Sequence, residues 1–274
     1  MTFSDHHRKK SFGQYWLKDE IILDKIIAAA NLKSNDRILE IGPGRGALTR
    51  KLLDSEIDLL QAIEIDKTLI SALRKKFSCY PKFKLIEGDV LSLPLLSSDG
   101  MPFDKVVANI PYNITGPILN KLIGKLGSNS ENNFQLLVLL LQKEVADRII
   151  AKPGESCFSS LSVRLQLLAK CSSVCEVPSS CFNPPPKVNS KVIIIEPVKP
   201  QNRLPFELEH KLQIILSTAF LERRKKLRNT LISLNNLQSL QNLANDIGIS
   251  LDQRPQELSP MNWVDLAKGI PISS

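Results

Sequence analysis

The chain has 274 residues, 43% hydrophobic and 23% charged, with a mean hydropathy of −0.06; these values exclude a disordered or membrane-embedded protein and fit a large domain with a smaller attachment. A net charge of +8 and a pI near 9.2 point to phosphate-bearing partners, with the excess gathered at residues 6–10 and 223–228. Five cysteines without a C-x-x-C pair and three scattered histidines argue against a disulfide framework and against a metal site.

The first segment, MTFSDHHRKKSFGQ, is polar and basic and has no apolar stretch after its charges. No secretory signal is expected there, so the protein is expected in the cytoplasm. From about residue 20 to 195, apolar runs of strand length alternate with segments of helical period, the pattern of a parallel sheet with crossover helices. Strands are expected at 37–41 (RILEI), 59–65 (LLQAIEI), 83–87 (FKLIE), 105–109 (KVVAN) and 134–141 (FQLLVLLL), with helices at 45–55 and 67–77. The run LLVLLL is far short of the roughly 20 apolar residues that cross a bilayer, and it reads as a buried strand.

After the first strand comes Glu40-Ile41-Gly42-Pro43-Gly44-Arg45-Gly46. Glycines there allow a tight turn and let a ligand approach the backbone with no side chain between them. Glu64, closing the second strand about twenty residues on, is placed to accept hydrogen bonds from both ribose hydroxyls. Asp89, after the third strand, can accept from an adenine amino group while the Val90 amide donates to a ring nitrogen. Two cofactor classes compete for such a pocket. A dinucleotide prefers G-x-G-x-x-G and a pyrophosphate on the helix N-terminus, whereas Glu40 beside Gly42 and Gly44 suits the cationic S-adenosyl-L-methionine. The residues favour the methyl donor.

The fourth strand ends in Asn109-Ile110-Pro111-Tyr112. In an open parallel sheet ligands bind beyond the carboxyl ends of the strands, so this tetrapeptide faces the same pocket. The Asn109 amide oxygen and the Ile110 carbonyl can accept the two hydrogens of an exocyclic amine, Pro111 fixes the backbone between them, and Tyr112 offers a face for an unstacked base.

Further on, SSVCEVPSSCF and KVIIIEPV read as two late strands, antiparallel to each other, flanking the stiff FNPPPKVNS connection. The proline-containing stretch 196–207 reads as a domain boundary, dividing a catalytic domain at 1–197 from a helical domain at 198–274. In the latter, Gly248 is expected to close one helix and Ser259-Pro260 to open another.

Together, RKKSFGQYWL, EIGPGRGALT, AIEID, EGDV, NIPYNI, LQKEVADRI, FNPPPKVNS and AFLERRKKLRNTL resemble the KsgA-type small-subunit ribosomal RNA adenine dimethyltransferases, in the family's order and over nearly the whole chain. The resemblance implies a Rossmann-like class I methyltransferase fold, α/β and mostly parallel with a late antiparallel strand, plus a small all-α C-terminal domain. It implies S-adenosyl-L-methionine-dependent dimethylation of N6 on two adjacent adenines in the 3′-terminal hairpin loop of 16S rRNA, by a monomer without metal or membrane, on an immature ribosomal subunit. It implies donor-binding roles for Tyr15, Leu17, Gly42, Glu64, Asp89 and Asn109, and a second stacking aromatic at Phe182. The family's usual FGQNFL or FGQHFL is FGQYWL here, which shifts the donor contact towards Gln14 and Leu17 and leaves open whether Tyr15 acts through backbone or phenol. Expected RNA contacts are Arg8, Lys9, Lys10, Lys187, Arg223, Arg224, Lys225, Lys226 and Arg228. Two rivals share these features: a methyltransferase of large-subunit rRNA and a non-catalytic assembly factor on the same scaffold.

Overall fold

The computed structural model describes residues 15–128 and 134–271. They form two compact units: 15–122, 134–146 and 171–197 in the first, and 123–128, 147–170 and 198–271 in the second. Besides the passage at 197/198, the chain enters the second unit twice earlier, so that unit holds more than the C-terminal helices.

In chain order the elements are β1 (Trp16–Leu17), α1 (Glu20–Ala30), β2 (Arg37–Ile41), α2 (Ala47–Leu53), β3 (Leu59–Glu64), α3 (Lys67–Lys76), β4 (Phe83–Glu87), β5 (Lys105–Asn109), a 3-10 turn at Tyr112–Ile114, α4 (Thr115–Ile123), β6 (Leu136–Gln142), α5 (Lys143–Ile150), α6 (Ser160–Leu168), β7 (Ala169–Val177), β8 (Phe182–Asn183), β9 (Ser190–Pro197), α7 (Phe206–Leu221), α8 (Leu227–Leu231), α9 (Leu237–Asp246) and α10 (Pro260–Gly269).

Seven strands make one sheet in the order β4-β3-β2-β5-β6-β9-β7. The five strands from β4 to β6 run parallel, and β9 lies antiparallel to β6 with Gln142 opposite Ser190. The expected late antiparallel strand is therefore β9, with β6 as its antiparallel partner and β7 as its other neighbour. β6 starts two residues later than its apolar run, because Gln135 N–H donates to the Asp104 carbonyl at 2.7 Å and its amide to the Asp104 carboxylate, tying that stretch into a loop.

Strands such as RILEI and LLVLLLQ are continuous apolar runs because parallel sheets are covered on both faces. Ile38, Leu39, Leu60, Val107 and Leu139 are fully buried, and the helices add Leu23, Ile26, Leu52 and Leu73. Truncating any one of these leucines to Ala costs about 2–5 kcal/mol. α1 begins where Asp19 caps it, accepting from the Ile22 amide at 3.1 Å. At the foot of β5 the buried Lys105 ammonium meets Asp36 at 2.5 Å and the Asn31 carbonyl at 2.7 Å, so its charge is fully accommodated.

The second unit is helical. α6 packs on α7 and α10, and Trp263 is buried with its ring 5.6 Å from that of Phe220. Ser259 caps α10, accepting from the Asn262 amide at 3.1 Å, with Pro260 as the first helical residue; Gly248, at φ +72, turns the chain after α9. Glu209 is held by both arms of Arg203, at 3.0 and 2.6 Å, and by the Gly127 amide at 3.0 Å.

Candidate active site

Because β2, β3, β4 and β5 are parallel, their carboxyl ends lie on one edge of the sheet. A cavity of about 340 Å³ opens there, lined by segments 15–17, 40–45, 47–48, 63–65, 88–90 and 109–114. All the candidate donor-binding residues within the described chain line it: Tyr15, Leu17, Glu40, Gly42, Gly44, Glu64, Asp89, Val90 and Asn109. Gln14 lies outside the described residues.

The glycine turn owes its shape to backbone that L side chains rarely adopt. Gly44 has φ +58, and a Cβ there would stand 2.7 Å from Cδ1 of Trp16. Any other residue would both strain the turn and push the indole aside. The turn is fastened to the next strand as well: Gly42 N–H donates to the Ile63 carbonyl at 2.9 Å and Gly44 N–H to Glu64 Oε2 at 3.2 Å. The Arg45 guanidinium lies 4.0 Å over the Trp16 ring, a cation–π contact on the cavity wall.

Glu64 accepts at its other oxygen from the Asp66 amide at 2.9 Å. Its pKa is nonetheless raised, first by burial, against the lowering pull of these two amides. Glu40 is more extreme. It is 1% exposed, its carboxylate accepts from the Thr49 hydroxyl at 2.7 Å, and burial above all pushes its pKa up to about 8, with Thr49 opposing and Glu64 adding to the rise. A group so placed holds its proton for the most part at neutral pH and is half-ionised only near pH 8. Asp89 Oδ1 accepts from the Leu91 amide at 2.9 Å, which holds the carboxylate at the cavity wall.

At the end of β5, Asn109 Nδ2 donates to the Tyr15 carbonyl at 3.0 Å. The bond decides which end of the amide is available: with the NH₂ group engaged by backbone, Oδ1 is the atom left to accept from a ligand. Tyr15 thus engages Asn109 through its backbone carbonyl. Its ring stacks on Tyr112, with centroids 5.2 Å apart and planes inclined by 29°. Tyr112 is anchored at its far end, where its hydroxyl meets Ser190 Oγ at 2.6 Å; burial, foremost, raises its pKa and keeps the phenol neutral. Ile110 and Pro111 complete this wall, and Ile110 N–H donates to the Leu140 carbonyl at 3.1 Å, so the tetrapeptide is pinned to the sheet.

Phe182 departs from expectation. It is 1% exposed, belongs to the hydrophobic core and is not on the cavity wall. Its backbone pairs with Leu17 in the β1–β8 ladder, and Lys18 N–H donates to the neighbouring Cys181 carbonyl at 2.9 Å. Its ring is enclosed by core residues, Leu17 of β1 among them, and does not line the cavity.

Arg8, Lys9 and Lys10 lie outside the described residues. Lys187 is exposed in the loop between β8 and β9. The second basic run is less uniform than its sequence suggests. Arg223 donates to the Ser156 carbonyl at 2.6 Å, Lys225 pairs with Glu222 at 2.6 Å, and Lys226 and Arg228 share Asp252 at 3.5 and 3.0 Å. Arg224 is exposed and makes no ion pair among the described residues.

Sequence reasoning passed over Trp16, Arg45, Thr49 and Ser190. Thr49 was findable: it sits one helical turn into α2, directly behind the glycine turn. The others act through partners far away in the chain.

A family model described as "Ribosomal RNA adenine dimethylase" matches residues 5–270. The chain is 58% identical over 270 residues to "Ribosomal RNA small subunit methyltransferase A" of Prochlorococcus marinus (strain MIT 9211), covering 98% of this chain and 96% of that one. It is 55% identical to the protein of the same description from Synechococcus sp. (strain CC9311), with 98% of each covered. Among solved structures, a dimethyladenosine transferase from Plasmodium falciparum superposes with a TM-score of 0.75 at 30% identity, over 92% of this chain and 95% of that one. The 23S rRNA methyltransferase ErmE reaches the same TM-score at 23% identity, over 93% and 99%, a likeness of fold.

Proposed function

The chain belongs to the ribosomal RNA adenine dimethylase family, and from that premise we propose that it transfers two methyl groups to N6 of each of two adjacent adenines in the 3′-terminal hairpin loop of small-subunit rRNA. It works as a monomer in the cytoplasm, on an immature subunit and without a metal. The single observation that carries the reading is the Asn109 amide, fastened through Nδ2 to the Tyr15 carbonyl so that its oxygen is left for a substrate amine at the cavity.

The cavity suits S-adenosyl-L-methionine: Glu40 and Glu64 are buried carboxylates, and the Gly42–Gly44 backbone leaves room for a ligand to approach. When bound, this donor supplies an electrophilic methyl on a cationic sulfonium. Glu64 receives the ribose hydroxyls, Asp89 and Val90 bracket the adenine, Gly42 and Gly44 line the tail, and Leu17 closes the apolar side. Glu40 offers its charge to the donor's cationic end.

Asn109 Oδ1 and the Ile110 carbonyl accept the two hydrogens of the target amine. An adenine amine is a poor nucleophile while its lone pair is delocalised into the ring; two acceptors draw it out of conjugation and aim it. Tyr112 holds the flipped base, with roughly 1–3 kcal/mol from stacking. No general base is needed, since the proton becomes acidic once the nitrogen turns cationic, and positioning supplies most of the acceleration. A neutral amide also tolerates the second transfer, because the acceptor that loses its hydrogen is an uncharged group and costs less than an orphaned carboxylate.

The RNA is held by Lys187, by Arg223, Arg224, Lys225, Lys226 and Arg228, and by Arg8, Lys9 and Lys10. The ion pairs to Glu222 and Asp252 are exposed and of little worth, so phosphates can replace them. The deciding experiment incubates purified protein and labelled donor with immature small subunits and with large subunits, then analyses each rRNA by mass. Dimethyladenine confined to the 3′ end of small-subunit rRNA is expected. Label in large-subunit rRNA, or in neither, overturns the assignment.

A further inference from the structure

We infer that Lys121 is a positioning residue for the donor, holding from α4 the turn on which Asp89 and Val90 face the cavity. This inference rests on the donor pocket proposed above and deepens it. The turn from Gly88 to Leu93 is tightly wound. The Asp89 carbonyl accepts from the amides of Ser92 at 3.0 Å and Leu93 at 3.1 Å, and the Asp89 carboxylate accepts from the Leu91 amide at 2.9 Å. Leu93 folds back so closely that a Cβ on Gly88 would stand 2.8 Å from its Cδ1. At its start the turn is tied to β3, where Gly88 N–H donates to the Glu64 carbonyl at 2.9 Å. Its far side is held by Lys121.

Lys121 is half-buried near the end of α4 and donates through Nζ to the Leu91 carbonyl at 2.8 Å and to the Leu93 carbonyl at 2.6 Å. An ammonium on two carbonyls is a charge-assisted clamp, stronger than a neutral pair. It does not line the cavity, so it acts through the turn and not on the ligand. α4 follows directly on Tyr112–Ile114, so one helix carries the acceptor motif at its head and this clamp near its end. The acceptor motif has pins of its own, Ile110 on Leu140 and Tyr112 on Ser190, so loss of the clamp frees the donor turn and spares the acceptor. With the turn fixed, Asp89 and Val90 are set for the adenine amine and ring nitrogen before the donor arrives. With it loose, the ordering falls on the binding step and affinity drops. A fixed pair also rejects the opposite pattern: hypoxanthine sets a carbonyl against the Asp89 carboxylate and an N–H against the Val90 amide, and only a loose turn can move aside from both.

The test uses full-length protein and calorimetric Kd values for S-adenosyl-L-homocysteine and S-inosyl-L-homocysteine, together with turnover on small-subunit particles. Wild type is expected to prefer the adenosyl ligand by roughly 10²-fold or more. Lys121→Met, which keeps the stem and loses the donors, is expected to weaken the adenosyl ligand about ten-fold and the inosyl ligand by less than about three-fold, with turnover at saturating donor within about three-fold. Lys121→Arg, whose fork also reaches two acceptors, is expected to bring the preference back to within about three-fold of wild type. An unchanged preference in Lys121→Met, equal weakening of both ligands, turnover at saturating donor lowered more than about ten-fold, or a preference in Lys121→Arg no higher than in Lys121→Met each overturns the role of Lys121 and leaves the proposed function standing. Should wild type fail to distinguish the two ligands, the adenine seat of the proposed function falls, and the inference with it.

Discussion

Two buried glutamates, one in each unit, are treated in opposite ways. Glu209 is 3% exposed and receives both arms of Arg203 together with the Gly127 amide. Glu40 is 1% exposed and receives the hydroxyl of Thr49, while burial pushes its pKa up to about 8. The first is complete without a ligand; the second is a carboxyl group that the fold buries at a cavity wall with no ion pair among the described residues, Lys76 opposing the rise only weakly. Burial of a charge is tolerated when it is paired, and a group left short of a partner beside a cavity marks where one arrives from outside.

That contrast can be broken from either end. The largest effect is expected at the satisfied pair: Arg203→Ala strands Glu209 and should cost about 3–5 kcal/mol in denaturant unfolding. Glu40→Gln should cost less than about 1 kcal/mol, since the neutral isostere keeps its oxygen on Thr49. If both substitutions destabilise alike, the two carboxylates do not differ in kind.

Next comes the acceptor. Asn109→Ala should lower turnover by roughly 10²–10³ while donor affinity stays within ten-fold, as for one lost transition-state hydrogen bond. Normal turnover in single-turnover assays would remove the amide from the chemistry.

The pH dependence of Glu40 is smaller and has a definite sign. Its folded pKa near 8 exceeds the 4.5 of the unfolded chain, so the folded state holds the extra proton between those values. Stability contributed by this group is full below about pH 4.5, falls as pH rises towards 8, and is level above. Affinity for a cationic donor runs the other way, rising by up to about ten-fold per unit from pH 6 to 8. Glu40→Gln should flatten both slopes in parallel titrations; a slope that survives belongs to another group.

The smallest effect concerns the basic run. Neutralising Arg224, Lys226 and Arg228 should flatten the salt dependence of RNA binding by nearly three units of slope. Asp252→Asn, which frees two of these cations, should tighten binding only about two- to three-fold. An unchanged slope in the triple variant would take the run out of the interface.

Much of the sheet was legible because its signals are local. RILEI, LLQAIEI, FKLIE and KVVAN are short apolar runs with turn residues behind them, and Glu40, Glu64, Asp89 and Asn109 stand at or just past their ends, where a parallel sheet gathers its ligands. The Ser259-Pro260 cap was legible for the same reason. What stayed hidden depends on pairing across the chain. Asn109 meets Tyr15 across 94 residues, and the Tyr112 hydroxyl meets Ser190 across 78. The burial of Phe182 follows from its ladder with Leu17, which no periodicity announces. The placing of α6 with the C-terminal helices reflects packing on α7 and α10, far along the sequence.

The most direct measurement is the proton count on donor binding, by calorimetry at pH 7 in buffers of different ionisation heat. Wild type should release about one proton as S-adenosyl-L-methionine binds, and Glu40→Gln essentially none. Equal release by both proteins, or none by wild type, would mean that Glu40 is not the group kept waiting for the donor's charge.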